Sequence, residues 1–511
     1  MRKLSIMIFA LCTLSFSALA QVTVEFSGNV QGDVKHVVVL VDDLDTLNGA
    51  AAVLDAETNG QLFKALKAQS FKTEVGSAAT LFGIGNYDRV VVLGSAVESP
   101  MNAVDLQNLG GKIAKQIGVD LKEQNIVVHV DGLNTEHADA AAHIAYGYEL
   151  QNYRFEKYKS DKKQSPGTLT FISAGVNEAE STYNNDLKFL AEGIYMTRDL
   201  ASEPGKTIYP QAFVDAVKKK FKGIKNIDID VLTLRDMKKN NMGALMGVGQ
   251  GSIHEPKMLV IEYKGADNDD APIALAGKGI TFDTGGISLK RNSGMWAMKS
   301  DMSGAAAVAG TLYAVASRKE NVNLVGLMPL AENMPAEDAI RPGDVLPTMK
   351  GTSIEIISTD AEGRLILADA VYYAQQEFKP RMLVNIATLT GSAARALSDE
   401  YAVVITRDWD LSVDMMGVGE RSGEAVWPLP LHPNHFEQIK SDIADIKNSG
   451  AGNPGASIGA AVIGTFVDED MTWVHLDIAG VDWITDVTDT VPKGSSGWGV
   501  RFMDQLVRDK K

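Results

Sequence analysis

The chain has 511 residues, 45% of them apolar and 22% charged, with 49 Lys and Arg against 65 Asp and Glu. That length and apolar content are more than one ordinary core uses, so two folded domains are expected and a disordered chain is excluded. A formal charge of −16 makes nucleic acid and anionic lipid poor partners, because both are anionic themselves.

At the N-terminus, Arg2 and Lys3 precede the apolar run IMIFALCTLSF, and Ala18-Leu19-Ala20 closes it before Gln21. Residues 1–20 read as a secretory signal peptide with a small-x-small cleavage site, and the run is shorter than the roughly 20 residues of a membrane span. An exported protein, periplasmic or secreted, is expected. Cys12, the only cysteine, would leave with the signal, and losing Arg2 and Lys3 would take the charge from −16 to about −18.

From Val22 to about Ser173, β-branched runs (VKHVVVLVD, RVVVLGS, NIVVHVDGL) alternate with helical stretches such as AAAHIAYGYELQNY. Such alternation predicts an N-terminal α/β domain over residues 21–175, with EKYKSDKKQSPG as a solvated charged loop. EAESTYNNDLKFLAEGIYMTRDLASEPG has the period of a long helix, stopped by Pro204-Gly205, and predicts a connecting helix over 176–204. Beyond it, KMLVIEY, PIALAGKG, VNLVGLMPL, SIEIIS, MLVNIATLTG and WVHLDIAG are strand-like and each is followed by a loop or helix. They predict a larger C-terminal α/β domain, residues 205–511, around a mixed, mostly parallel sheet.

Gly205-Lys206-Thr207 resembles the end of a phosphate loop, but the earlier glycine that loop requires would be at Leu200. GVGQGS lacks the dinucleotide spacing, so both stretches read as turns. The eight histidines form no pair on one helical face, and His432 and His435, split by Pro433, suggest a surface loop. A GxSxG elbow is absent too, which disfavours serine and His-zinc hydrolases.

What remains is rich in carboxylates. GKGITFDTGGISLK carries Lys278, Asp283 and Lys290 among Gly277, Gly279, Gly285 and Gly286; alone, it is either a glycine-rich turn with solvated charges or backbone packed against something small. In MKSDMSGAAAVAG, Asp301 fits a helix N-cap. In STDAEGRLILADA, Asp360 and Glu362 fit carboxylates at a helix N-terminus, or two residues of an extended turn facing one side. On three strand-to-helix turns of one sheet, Asp283, Asp301, Asp360 and Glu362 would meet at one rim. Four carboxylates cannot crowd there without cations, and two divalent metals satisfy more oxygen lone pairs than Lys278, Lys290 and Arg364 do.

These stretches, with AENMPAEDAIRPGDVL, ATLTGSA and WVHLDIAG in the same order, resemble the leucyl (cytosol-type) aminopeptidases, hexameric two-metal exopeptidases. The resemblance covers the second domain almost throughout and the first only loosely. It implies one metal bound by Lys278, Asp283, Asp301 and Glu362, and a second by Asp283, Asp360 and Glu362. Zn²⁺, Mn²⁺ or Co²⁺ suits such ligands. It further implies Lys290 at the oxyanion, a bicarbonate on Arg364 as general base, and Met298, Thr388, Leu389, Thr390 and Gly391 around the substrate, whose N-terminal residue would be leucine or a similar apolar one. Ser358 and Ser202 depart from the family's pattern, which has Asn at both, and the export signal departs from its cytosolic habit. A cysteinylglycine-type dipeptidase and a hexameric scaffold or nucleic-acid-binding protein are the alternatives, and the acidic charge weighs against nucleic acid.

Overall fold

A computed structural model describes residues 22–118, 121, 124–161, 167–268, 270–450 and 455–511. The expected signal peptide, residues 1–20, lies outside the described residues. The strands of the first sheet are Thr23–Ser27 (β1), His36–Val41 (β2), Ala78–Ile84 (β3), Tyr87–Gly94 (β4), Asn125–His129 (β5) and Thr168–Ile172 (β6). They run in the order β1-β6-β5-β2-β4-β3, parallel except where β3 meets β4. Val37, Val39, Val90 and Val92 point into one buried cluster of this sheet and Val38, Val91 and Val128 into the other, so the continuous valine runs are those of strands covered on both faces.

The connector is helical from Val176–Thr182 through a π turn at Tyr183–Leu187 to Lys188–Ser202. Its last turn carries Arg198, fully buried, which donates to the carbonyls of Leu150, Thr490 and Ser496 and so ties the two domains together. The loop expected at EKYKSDKKQSPG is exposed over residues 158–161 but buried where it begins, and residues 162–166 lie outside the described residues. Glu156 and Glu203 are buried, and Lys157 and Tyr158 both bind the Glu203 carboxylate, because the end of the connector offers a desolvated acid that must be paired.

The second domain adds Ile227–Leu232 (β7), Lys257–Lys264 (β8), Ile273–Gly277 (β9), Gly279–Asp283 (β10), Asn323–Asn333 (β11), Val345–Leu346 (β12), Ile354–Glu355 (β13), Met382–Ala387 (β14), Ala402–Thr406 (β15), Val426–Pro428 (β16), Ile446–Lys447 (β17) and Trp473–Asp477 (β18). Its nine-stranded sheet has the order β16-β15-β18-β14-β9-β11-β8-β7, with β10 paired to β11. The centre is parallel, β8 runs antiparallel to β11 and β7 antiparallel to β8 in turn, and β15 runs against β18, so the sheet is mixed as expected. Helices Ser303–Ser317 and Gly363–Phe378 cover its two faces and are buried over most of their length.

Three local expectations change. SIEIIS supplies only β13, which belongs to a separate three-stranded sheet, β12-β13-β17, and not to the central one. His432 caps a short helix, Pro433–Gln438, in which His435 is buried, so this is not a loop. The first half of GVGQGS, Gly247 to Gly249, ends the helix Gly243–Gly249 and the second half is the expected turn; glycine suits the close packing there, since a Cβ on Gly247 would stand 2.8 Å from Leu346 Cδ1. No helix among the described residues is long and apolar enough to cross a membrane.

Candidate active site

Lys278 occupies the one-residue break between β9 and β10, where the chain leaves its pairing with β14 and keeps only β11. Its N–H donates to Ile386 and its carbonyl accepts from Ala305, so the backbone is pinned between β14 and the start of the Ser303–Ser317 helix. Gly277 is required here: a Cβ would lie 2.3 Å from the Gly304 carbonyl oxygen. The Lys278 ammonium reaches Asp301 Oδ1 and Glu362 Oε1, both at 2.8 Å, and donates to the Thr388 carbonyl at 2.8 Å.

Asp283 ends β10. Its Oδ1 accepts from Gly285 N–H at 2.8 Å and Asn333 Nδ2 at 2.7 Å, and its Oδ2 meets Lys290 Nζ at 2.8 Å. Gly285 sits at φ +87°, a left-handed conformation, and a Cβ there would stand 2.8 Å from Asp360 Oδ1. Lys290 closes the loop against Asp360 at 2.6 Å.

The cap reading fails for Asp301 and holds for Glu362 in position only. Asp301 is not an N-cap: it terminates the 3₁₀ turn Met295–Ser300, Met302 precedes the helix, and Asp301 Oδ1 accepts from the Thr388 hydroxyl at 2.7 Å. Glu362 does hold the cap position of Gly363–Phe378 but makes no side-chain capping bond, since its carboxylate turns to Lys278. Residues 358–362 are also not extended. Asp360 lies in a turn and Glu362 has helical φ and ψ, so a bend, and not a period of two, brings them to one site. The meeting of the acids therefore draws on two sheets: Asp283 and Asp301 flank a single connection of the central sheet, while β13 of the small sheet delivers the turn with Asp360 and Glu362.

That turn is braced by residues the sequence alone did not single out. Asn448 accepts from the N–H groups of Ile357 and Ser358 and donates to the Ser358 carbonyl at 2.7 Å. Thr359 exchanges hydrogen bonds with Ser288 and donates to Gly285, zipping the turn to the glycine loop. Asn333, at the end of β11, bridges Asp283 and the Thr359 carbonyl. Ser358 itself only accepts from Asp360 N–H at 3.3 Å, and the bracing amide comes from Asn448. The stretch AENMPAEDAI did contain Asn333, yet a lone amide at a strand end carries no signal of its own.

Burial sets the electrostatics. Desolvation and the neighbouring Glu362 push Asp283 up to about 6, and desolvation also raises Asp301 and Asp360. Glu362 is held below the ordinary range despite its burial, because Lys278 and Lys290 face it. Burial opposes the Lys278 charge, but Asp301, Glu362 and Asp283 outweigh it and raise its pKa. The carboxylates thus hold more negative charge than a dry pocket tolerates without cations.

The donor set fits divalent metal. Oxygens of Asp283, Asp301 and Glu362 lie within 4.8 Å of one another, and all three side chains are buried. Two oxygens, Asp301 Oδ2 and Glu362 Oε2, are buried without a protein partner. Asp360, whose side chain is 39% exposed, closes the open side.

Arg364, the second residue of its helix, donates to the Asn448 carbonyl at 2.9 Å while its Nε is buried without a partner. Burial pulls its pKa down, with Glu362 and Asp477 opposing. Thr390 caps the helix Gly391–Leu397 and gives its hydroxyl to Asp477 at 2.6 Å; Leu389 and Met298 are half-buried, and Gly391 is exposed. Thr388 joins the acidic cluster directly, its carbonyl accepting from Lys278 and its hydroxyl donating to Asp301. Met298 lies on the turn that ends in Asp301.

The profile of the "Cytosol aminopeptidase family, catalytic domain" matches residues 195–503, and that of the family's N-terminal domain matches residues 38–162. A "Probable cytosol aminopeptidase" of Rickettsia bellii is 38% identical over 501 residues, covering 95% of this chain and 99% of its own. The relative of that name in Dinoroseobacter shibae is 40% identical over 475 residues, 93% of this chain and 94% of its own. Among solved structures, a tomato leucine aminopeptidase mutant superposes with TM-score 0.84 at 28% identity, covering 96% of this chain and 97% of that one. The bottromycin maturation enzyme BotP in complex with Mn gives 0.81 at 27% identity, covering 94% and 99%.

Proposed function

The chain belongs to the cytosol aminopeptidase family and is a metal-dependent aminopeptidase; from that premise we propose that it releases leucine and similar apolar residues from the N-termini of peptides. The observation that carries the reading is the buried cluster of Asp283, Asp301 and Glu362 with its two unpartnered oxygens. In this reading Lys278, Asp283, Asp301 and Glu362 hold one divalent cation and Asp283, Asp360 and Glu362 a second, as Zn²⁺, Mn²⁺ or Co²⁺. When bound, such a pair supplies an acidified water and polarises the scissile carbonyl.

The chain's own residues do the rest. Lys290, at the partly open edge of the cluster, places its ammonium where the carbonyl oxygen gains charge. Arg364 keeps a buried N–H without a protein partner and would hold a bicarbonate, which would supply general-base chemistry there. Thr388 and Thr390 spend their hydroxyls on Asp301 and Asp477, so they offer an incoming side chain little beyond apolar wall and backbone, beside Met298 and Leu389, with Gly391 at the opening. An apolar wall selects leucine or methionine over charged residues. We further propose export by residues 1–20 and assembly as a homohexamer.

The mature protein assayed on leucine p-nitroanilide, with and without chelator, tests the activity; release that is absent or indifferent to chelator overturns it. A panel of aminoacyl p-nitroanilides tests the preference, and equal turnover of Cys-Gly and Leu-Gly would move the reading towards a dipeptidase. Light scattering at six subunit masses, and recovery from the periplasm or medium, test the last two points.

A further inference from the structure

The turn Met295–Ser300 carries more than Met298. Trp296, 65% exposed, stands edge-on to Trp483 with ring centres 5.9 Å apart, and Lys299 Nζ lies 5.1 Å from the centre of the Trp483 ring. They close one side of a cavity of about 450 Å³ whose other wall comes from the first domain, between Gln151 and Lys159. Four cations line it, Arg154, Lys159, Lys299 and Lys493, and none of the described lining residues is a carboxylate. In a chain of formal charge −16 that concentration is not a sample of the average surface.

The local acids neutralise it only in part: Glu156 pairs with Lys159 at 3.7 Å, and Glu203 is already bound by Lys157 and Tyr158. Arg154 gives Nη1 to the carbonyls of Gln151 and Tyr153, which are neutral. Lys493 is exposed and, among the described residues, forms no ion pair. Cations gathered in a concavity repel one another until an anion enters, and the positive edges of two indoles favour a carboxylate as that anion.

We propose that this cavity is a carboxylate subsite of the peptidase, engaging an anionic group of the peptide being cleaved. The proposal rests on the aminopeptidase reading. Lys299 is two residues from Asp301 along the chain, and an extended peptide covers about 3.3 Å per residue, so the proposal requires that a peptide of a few residues held at the acidic cluster reach this cavity. The group is either the terminal carboxylate of a short peptide or an acidic side chain, and both present the same oxygens.

The metal-loaded enzyme is assayed on Leu-Gly-Gly against its C-terminal amide and on Leu-Glu-amide against Leu-Gln-amide, with leucine p-nitroanilide, which has no carboxylate, as internal control. The expected result is at least a fivefold preference in kcat/KM, mainly through KM, for the anionic member of one pair. Lys299→Met and Lys493→Met should each reduce that preference while leaving the p-nitroanilide rate within twofold. Preference in the first pair assigns the terminal carboxylate, and in the second an acidic side chain. Equal rates within both pairs, or a preference that survives in both lysine variants, overturns the proposal. No turnover of the p-nitroanilide by the wild type strikes the aminopeptidase reading instead.

Discussion

Replacing Asn333 by leucine, a side chain of the same branching without donors, removes one nitrogen that serves two buried acceptors. Nδ2 lies 2.7 Å from Asp283 Oδ1 and 3.1 Å from the Thr359 carbonyl, and Asn333 is 2% exposed. Losing a hydrogen bond to a charged group costs about 1.5–3 kcal/mol and leaving a buried carbonyl unpaired about 1–3, so the site loses roughly 2.5–6 kcal/mol of support before relaxation. Part of that appears in stability and part in the placement of Asp283, where loss of an outer partner of a ligand lowers metal affinity about 10–100-fold. The assay is a metal titration of leucine p-nitroanilide hydrolysis after chelator treatment, with thermal melts of the stripped and loaded protein. Asn333→Leu should need about 10–100-fold more metal for half-maximal rate. A variant with wild-type metal dependence and wild-type melting temperature would refute the claim that Asn333 positions Asp283.

Gly363→Ala would put a Cβ 2.7 Å from Lys278 Cδ and Cε, and Lys278, held by three partners, has no room to yield; activity should fall at least tenfold with circular dichroism unchanged, and an active variant would show that Lys278 moves freely. Glu362→Gln, at a side chain 2% exposed, should cost more bound metal per subunit than Asp360→Asn at 39%, measured by elemental analysis after gel filtration; the reverse order counts against the assignment. His475 gives a pH prediction. Trp473 Nε1–H donates to Asn385 Oδ1, so the Asn385 amide donates to His475 Nδ1 and the ring stays neutral, its pKa pushed down to about 3 by burial and the Arg364 charge. The unfolded ring takes a proton near 6.5 while the folded one does not, so this contribution is whole above about pH 6.5 and is lost as pH falls towards 3, reaching about 2 kcal/mol at pH 5. Between pH 7 and 5, wild-type stability in urea should fall by about that much more than that of His475→Gln; parallel curves would refute it.

Much of the molecule was legible beforehand because periodicity and residue type act locally. Valine runs such as Val37–Val41 specify strands covered on both faces, and the helical period of 178–203 specifies the connector, since each needs only its own side chains and a buried surface to meet. The acids and lysines of the site stand in short runs whose order carries the family resemblance, and the structure brings Lys278, Asp283, Lys290, Asp301, Asp360 and Glu362 together. Arg364 sits beside them through Asn448.

What the sequence could not supply were relations between distant segments. SIEIIS reads as a strand of the main sheet, but its partners, β12 and β17, come from elsewhere in the chain and local pattern cannot announce a pairing. Asp301 and Glu362 both look like helix caps until Thr388 and Lys278, from other strand ends, give their carboxylates better partners. Asn333 and Asn448 are ordinary amides in sequence, and only the fold places one on Asp283 and the other under Ser358. By itself the sequence determined which residues carry charge and which segments must be buried, because those follow from side-chain chemistry. The tertiary structure decided which charges share a dry pocket and which amides hold them there, because a hydrogen bond or ion pair depends on distances that only the packed chain sets.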